Sequence, residues 1–272
     1  MKGIQIIENK PPTVKASVYE AFQYRALIVS MVKRELKVRY AQTLLGFFWS
    51  FMRPLSYLTI YTIFFTVIIK MDTGGRPFSL LALAGIMGWN YFQDIFHTAG
   101  QSLILDADLI KKNNIPRLIL PVYRSLVGLV ELCIAMGIYL VLQIILGWPF
   151  SIYILFLPLA IVANLFVGLG VALWTSAYTV RVRDFYHLVS TILNFGMWLT
   201  PVFYGPELVP SFLKWVLYIN PMAMVIAMYR WALYMGPIPE WPYLIAVVIS
   251  ILIFFSGLRA FVKTQPTVVD YL

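Results

Sequence analysis

The residue types that most often carry out chemistry are few in this chain and lie far apart. It has only two histidines, His97 and His187, and a single cysteine, Cys133, so a metal centre built from these ligands is not expected. Asp106 and Asp108 are the nearest approach to a paired-carboxylate motif. The sequence has no phosphate-binding loop and no G-x-S-x-G or H-E-x-x-H motif. We therefore predict no catalytic residue, cofactor or metal site on this chain, which is not expected to be an enzyme.

Two further acids, Asp94 and Glu131, lie within long apolar stretches. A transporter coupled to protons or sodium usually carries a relay of such residues, and two isolated acids give weak support for one. We expect each acid to pair with a neighbouring arginine or amide. If the protein moves a substrate against a gradient, the energy is then expected to come from a partner.

Basic side chains form a third group of residues that could bind a ligand. Lys33, Arg34, Lys37 and Arg39 follow closely on one another, and Arg53 stands beside a proline. Such a group could hold an anion through charge-assisted hydrogen bonds. The alternative is attraction to anionic lipid, which contributes roughly 1 kcal/mol per basic residue near the membrane surface. The sequence leaves both interpretations open.

The elements that must position these residues are membrane helices. From Leu132 to Val180 there is no Asp, Glu, Lys or Arg, and the whole chain is 61% apolar and 12% charged. A spanning helix needs about 20 apolar residues, so this run predicts two crossings joined by a turn at Gly147-Trp148-Pro149. A soluble protein of this length could not keep such a run away from water.

The predicted fold class is therefore an all-α integral membrane protein with six transmembrane helices. An N-terminal amphipathic interface helix precedes them, and short re-entrant helices precede the last span. Residues 1–43 form the cytoplasmic arm and interface helix, 44–262 the transmembrane domain with a re-entrant region at about 206–240, and 263–272 a cytoplasmic tail. The six predicted spans cover about 44–69, 78–105, 118–146, 151–178, 185–204 and 241–258.

The distribution of basic residues predicts the orientation. With the N-terminus inside, seventeen of the 21 Lys and Arg residues lie on the cytoplasmic side, as the positive-inside rule requires. Both termini are then cytoplasmic. The formal charge of +9 is explained by topology, and no aromatic-rich basic face of the kind that binds nucleic acid is present.

Four motifs occur in order along residues 34–230. They are RELKVRY at 34–40 with Leu45-Gly46, Trp49 and Pro54; LIKKNNIPR at 109–117 with Leu120-Pro121; Arg183-Asp184-Phe185 with WLTPV at 198–202 and Tyr204; and Asn220-Pro221-Met222 with Arg230. This series resembles the membrane subunits of type-2 ABC exporters for polysaccharides, which include O-antigen, capsule and teichoic acid exporters. The second motif has Ile115 where phenylalanine is frequent in that family.

The resemblance implies a homodimer of six-span subunits in the bacterial cytoplasmic (inner) membrane, with two cytosolic ATP-binding subunits that hold the ATP and Mg²⁺. The cargo would be a lipid-linked polysaccharide of O-antigen type. A teichoic acid or capsule exporter of the same family is an alternative, as is a small-molecule or drug efflux permease of the same fold. A membrane enzyme acting on lipid-linked sugars, or a passive scaffold, fits the motifs less well.

The expected polysaccharide cargo also suggests candidate sites. Aromatic rings are expected to line a glycan channel: Tyr57, Tyr61, Phe64, Phe195, Trp198, Phe203 and Tyr204. Their alternative role is in interfacial belts and lipid contacts. A gate for the lipid pyrophosphate would consist of Lys33, Arg34, Lys37, Arg39 and Arg53. Coupling to the ATPase would fall to Asp106, Asp108, Lys111 and Lys112.

Overall fold

The computed structural model describes residues 13–41, 48–68, 70, 75, 77–113 and 115–271, and all regular structure within these ranges is helical. The N-terminal arm up to residue 12 and the start of the predicted first span lie outside them. The helices are α1 (Val14–Gln23), α2 (Arg25–Ala41), α3 (Trp49–Thr62), α4 (Phe78–Ala99), α5 (Ser102–Leu105), α6 (Ala107–Lys112), α7 (Ile119–Ile145), α8 (Leu157–Thr179), α9 (Asp184–Leu199), α10 (Lys214–Ile219), α11 (Pro221–Leu233), α12 (Leu244–Thr264) and α13 (Val268–Tyr271).

Three helical stretches among the described residues are long and apolar enough to cross a bilayer. They are Ile119–Ile145, Ile152–Thr179 and Trp241–Thr267. The predicted division of the charge-free run into two long helices is confirmed, because α7 and α8 flank a turn in which Gly147 has a φ of 62°. Glycine adopts that backbone conformation without steric cost. The all-helical membrane fold follows from these helices.

Within the predicted re-entrant region, the chain bends sharply at Asn220-Pro221. The stretches Ser211–Ile219 and Pro221–Leu233 meet at 95°. The Asn220 side chain accepts hydrogen bonds from the backbone N–H groups of Met222 and Ala223 at 2.9 and 3.4 Å, and so caps the start of α11. Proline at the first helical position needs no intrahelical donor, which favours a new helix at this residue.

The remaining predicted spans are less distinct by length and composition. α3 continues as a π-helix over Ile63–Ile68, and Pro54–Ile68 is a short apolar helix. α9 has only 16 residues. α4 has 22 residues, but its second half carries polar side chains. The count of six spans therefore stays a prediction.

α4 is the centre of the bundle. Sixteen of its 22 residues are buried, and it packs against α3, α7, α8 and α11. Its polar half contains Asn90, Gln93, Asp94 and His97, which protein neighbours can satisfy but lipid cannot. The surrounding helices therefore allow a helix with these polar residues to lie within a membrane bundle.

α8 and α12 approach each other closely through glycines. A Cβ atom on Gly257 would lie 2.5 Å from the carbonyl oxygen of Gly170. The Trp174 indole N–H donates to Ser256 Oγ at 2.9 Å in the same contact. Small residues that let two backbones meet are a common basis of helix association in membranes, and this pair uses them.

We expect Gly257→Ala to destabilise the protein by about 1–3 kcal/mol, because the new methyl group forces the α8 and α12 backbones apart. Gly137→Ala in α7 is the matched control, since a Cβ atom there meets no atom within 4 Å. The control should be neutral or stabilising by up to about 1 kcal/mol. Thermal denaturation of the detergent-purified variants measures both, and equal melting temperatures would contradict the packing argument.

Candidate functional site

Four of the predicted channel aromatics form one group of contacting rings, here called the aromatic surface: Tyr57, Tyr61, Trp198 and Phe203. Phe203 was predicted to line the channel, but it is only 1% exposed and supports Tyr61 from beneath. The Tyr57 and Tyr61 rings stack with centroids 6.3 Å apart. Tyr61 stacks in turn on Phe203 at 3.9 Å, and Trp198 lies 6.1 Å from Phe203 in a tilted arrangement. The structure thus brings together rings from α3, from the end of α9 and from the segment after it.

The other three predicted aromatics lie around this surface. Phe64 is exposed and contacts Phe65 edge to face. Phe195 is 69% exposed on α9. Tyr204 is half-buried, and its hydroxyl donates to the backbone carbonyl of Trp198 at 3.1 Å. Phe64 and Phe195 therefore present open faces, whereas Tyr204 fixes the turn that follows α9.

Phe203 is held in place from behind by a residue that the sequence interpretation did not assign to the site. Arg230 of α11 is buried, and its guanidinium donates to the carbonyl oxygens of Tyr204 at 2.8 Å and Val202 at 3.0 Å. On the other side, α4 lies so close that a Cβ atom on Gly85 would be 2.2 Å from the Val202 oxygen. The backbone on both sides of Phe203 is thus anchored.

A second bond joins the same two parts of the chain. The Asn220 amide donates to Thr200 Oγ1 at 2.9 Å. The third and fourth sequence motifs, which end in Tyr204 and Arg230, are therefore one structural unit. The presence of both motifs in the sequence was the signal that could have revealed these contacts. The bonds from Arg230 to the Val202 and Tyr204 carbonyls are called the Arg230 clamp below.

The predicted basic group divides into two environments. Lys33, Arg34 and Lys37 are exposed on α2. Arg39 is half-buried instead, with its Nη1 2.7 Å from Glu131 Oε1 and 3.9 Å from Asp94 Oδ1.

The prediction that the two apolar-stretch acids pair with a neighbouring arginine is confirmed by these contacts. Burial alone would lower the pKa of Arg39, but the attraction of Asp94 and Glu131 outweighs it and raises that pKa above its usual value. The Arg53 side chain lies outside the described part of the structure.

A second ion-pair cluster lies one turn earlier on α2. Arg124 Nε is 2.7 Å from Asp106 Oδ2, its Nη2 donates to Oδ1 at 2.7 Å, and Tyr123 donates to the same carboxylate. Glu35 of α2 lies 4.0 Å from Arg124. Opposite charges on α2 and α7 thus face each other twice, because Glu35 faces Arg124 and Arg39 faces Glu131.

Residues 106–117 separate into buried anchors and an exposed helix. Asp106 is only 6% exposed and fully engaged by Tyr123 and Arg124. Asp108, Lys111 and Lys112 are exposed, at the first and last turns of α6, where their charges complement the helix dipole.

At the end of this segment Arg117 donates to the Gln265 carbonyl, and burial lowers the pKa of Arg117. Of the four residues predicted to couple to an ATPase, three are accessible and Asp106 holds the segment from within.

We expect Asp106→Asn to destabilise the protein by about 3–5 kcal/mol, because it leaves the buried Arg124 charge without its partner. Asp108→Asn is the matched control on the same segment and should change stability by less than about 0.5 kcal/mol. Melting curves of the purified variants compare the two. An Asp106→Asn protein as stable as Asp108→Asn would show that the pair does not anchor α6.

Several named proteins are similar to this chain over most of its length. The chain is 30% identical over 226 residues to an O-antigen export system permease protein RfbA of Myxococcus xanthus, covering 82% of this chain and 86% of the relative. Two proteins of the same name from Klebsiella pneumoniae are 26% identical over 205 residues and 25% identical over 241 residues. They cover 75% and 88% of this chain, and 78% and 92% of their own lengths.

The match to a protein family spans the parts described above. Residues 26–234, from α2 to the end of α11, match the family described as "ABC-2 type transporter". This range includes the aromatic surface, the Arg230 clamp and both ion-pair clusters. The chain belongs to the ABC-2 type transporter family of membrane proteins.

Proposed function

We propose that this chain is the permease subunit of an ATP-driven exporter that moves a lipid-linked polysaccharide of O-antigen type across the bacterial cytoplasmic membrane. The relatives named as O-antigen export permeases support the cargo class. The observation that carries the proposal is the aromatic surface, where Tyr57 stacks on Tyr61 and Tyr61 stacks on the buried ring of Phe203. Six spans and cytoplasmic termini complete the proposed topology.

The physical properties of a sugar polymer explain why such a surface suits it. Each hydroxyl without a partner in hydrocarbon costs roughly 2–7 kcal/mol, so the polymer needs a passage lined by protein. Aromatic rings cover the C–H faces of sugars without requiring one hydroxyl pattern. A chain of sugars can therefore slide from ring to ring.

A second copy of the chain would close this passage. In the single chain, Tyr57 and Trp198 of the aromatic surface are open, at 41% and 63% exposed, above the buried Phe203. No residue of α9 is buried, and Leu188, Ile192 and Phe195 are all exposed on it. A homodimer that places two such surfaces face to face would enclose a conduit and bury these apolar side chains.

The proposed inner mouth combines accessible and restrained charges. Lys33, Arg34 and Lys37 on α2 are accessible to a lipid pyrophosphate, which they would hold by charge-assisted hydrogen bonds. Arg39 would join them only by leaving Glu131. α1 presents Val18, Tyr19 and Phe22 outward, and this apolar face supports its place, with α2, at the membrane surface.

The energy is proposed to come from two cytosolic subunits that hold ATP and Mg²⁺, since this chain has no phosphate-binding loop. The exposed charges of α6 form the proposed contact with them. A displacement of α6 would reach α7 through Asp106 and Arg124, and α2 through Glu35. The ion pairs thus provide a mechanical link from motor to passage.

We expect Tyr57→Ala combined with Tyr61→Ala to reduce glycan export by at least about ten-fold, because two adjacent stacking platforms, each worth roughly 1 kcal/mol or more, are lost. Surface glycan on intact cells measures export, and membrane fractions measure insertion. Insertion and association with the ATPase should be unchanged.

The matched control for that pair is Phe255→Ala, an exposed aromatic residue on α12, which should leave export normal. Unimpaired export in the tyrosine double variant would remove the aromatic surface from the transport path. Equal impairment in the control would indicate a general effect of losing exposed rings.

A separate prediction concerns the motor. Reversing charge with Asp108→Lys and Lys111→Asp should weaken association with the ATP-binding subunit by about ten-fold, because opposed charges at a contact steer and fix binding. Co-purification from membranes measures the association. Lys214→Asp, which lies on α10 in the outer region, is the control, and normal co-purification of the double variant would argue against α6 as the contact.

A further inference from the structure

A cavity of about 190 Å³ lies at the bend between α10 and α11, and the proposed function makes no use of it. Six polar side chains line it: Glu207, Lys214, Tyr218, Arg230, Glu240 and Tyr243. The positive-inside orientation places this region on the outer side of the membrane. The cavity is therefore separate from the inner charge clusters and close to the proposed exit.

Arg230 contributes a buried polar side chain to the wall of the cavity. Its side chain is only 6% exposed, and its two terminal nitrogens donate to the Tyr204 and Val202 carbonyls. Its Nε has no hydrogen-bond partner among the residues that the structure describes. No described carboxylate forms an ion pair with it either. A ligand with an acceptor atom would satisfy a donor that is otherwise buried without one.

The charges of the lining restrict which ligand fits. Two acids and two bases face the same space, so a simple anion or a simple cation meets repulsion as well as attraction. An apolar molecule would leave the Arg230 Nε unsatisfied. The Tyr218 hydroxyl donates to Glu240 Oε2 at 2.6 Å, and a carboxylate has roughly four acceptor positions in all. A neutral molecule rich in both donors and acceptors matches this lining.

The shape of the wall favours a ring. Pro201, Pro206, Pro237 and Pro239 form much of it, together with the ring of Tyr243. Prolines and an aromatic ring present rigid C–H surfaces, and such walls lose little entropy when a ligand binds. We propose that this cavity binds one neutral sugar ring of the exported glycan after it has passed the aromatic surface. The inference rests on the proposed function and names a subsite for its cargo.

The cavity and the aromatic surface share one segment of backbone. Phe203 stacks on Tyr61 on one side, and the carbonyls of its two neighbours hold Arg230 on the other. A sugar that binds Arg230 thus contacts the residue that anchors the segment carrying Phe203, the ring on which Tyr61 stacks. Successive sugar units would meet the rings first and the polar cavity next.

The test is saturation-transfer NMR on the full chain in nanodiscs, with methyl glycosides of glucose, galactose, mannose and rhamnose as probes. We expect at least one of them to bind, with affinity reduced by about ten-fold or more in Glu240→Gln, because a hydrogen bond to a charged acceptor is lost. Glu20→Gln, an exposed acid on α1, is the control and should bind as the native protein does. Tyr218→Phe, which removes one hydroxyl, is the second variant should Glu240→Gln fail to assemble.

Binding that is absent, or that is equal in Glu240→Gln, Tyr218→Phe and the native protein, would overturn the inference. Glycerophosphoethanolamine is run in parallel, since a zwitterionic lipid headgroup also has both charges; its binding in place of the sugars would likewise overturn it. Export by Tyr57→Ala/Tyr61→Ala separates the two proposals. If that variant exports less glycan but the native protein binds no sugar, this inference alone fails. If that variant exports glycan normally, the proposed function fails.

Discussion

A buried guanidinium holds the functional end of this bundle together. α9 ends at Leu199, so the carbonyls of the residues that follow it have no helical partners. Arg230 supplies donors to the carbonyls of Val202 and Tyr204. In an environment poor in water, such bonds are costly to leave unmade. The position of Phe203, and with it the aromatic surface, depends on this clamp.

The opposite end of the bundle depends on charge rather than on backbone bonds. On α2, Glu35 and Arg39 are four residues apart and face Arg124 and Glu131, which are seven residues apart on α7. On α2 the acid precedes the base, and on α7 the base precedes the acid. A shift of one helix turn would therefore separate the oppositely charged partners. This arrangement fixes α2 in one register, and the buried Asp106 fixes α6 to the same helix.

Between these two ends lies the part of the chain that we propose forms the wall of a passage, with energy supplied by a partner. The rings of Tyr57 and Tyr61 on α3 and of Trp198 on α9, supported by Phe203, form the surface along which the proposed cargo would move. The charge clusters join the accessible α6 to the helices nearest this surface. A force applied at α6 therefore has a continuous path of packed and paired side chains toward the rings.

The sequence by itself determined the features that depend on neighbouring residues along the chain. The two long helices around Gly147, the break at Asn220-Pro221 and the need of Asp94 and Glu131 for a partner all follow from apolar length, local backbone chemistry and the cost of unpaired charge. The ordered motifs also indicated the family.

Only the tertiary structure decided which distant side chains meet. Arg39, a candidate for binding an anion, lies against Glu131, 92 positions away in sequence. Asp106 is buried and not at the surface, and Tyr61 stacks on Phe203 while Phe195 stays open. Arg230 reaches carbonyls 26 and 28 positions before it. The reason is physical: such contacts depend on the angles and register at which helices pack, which no local pattern of residues specifies.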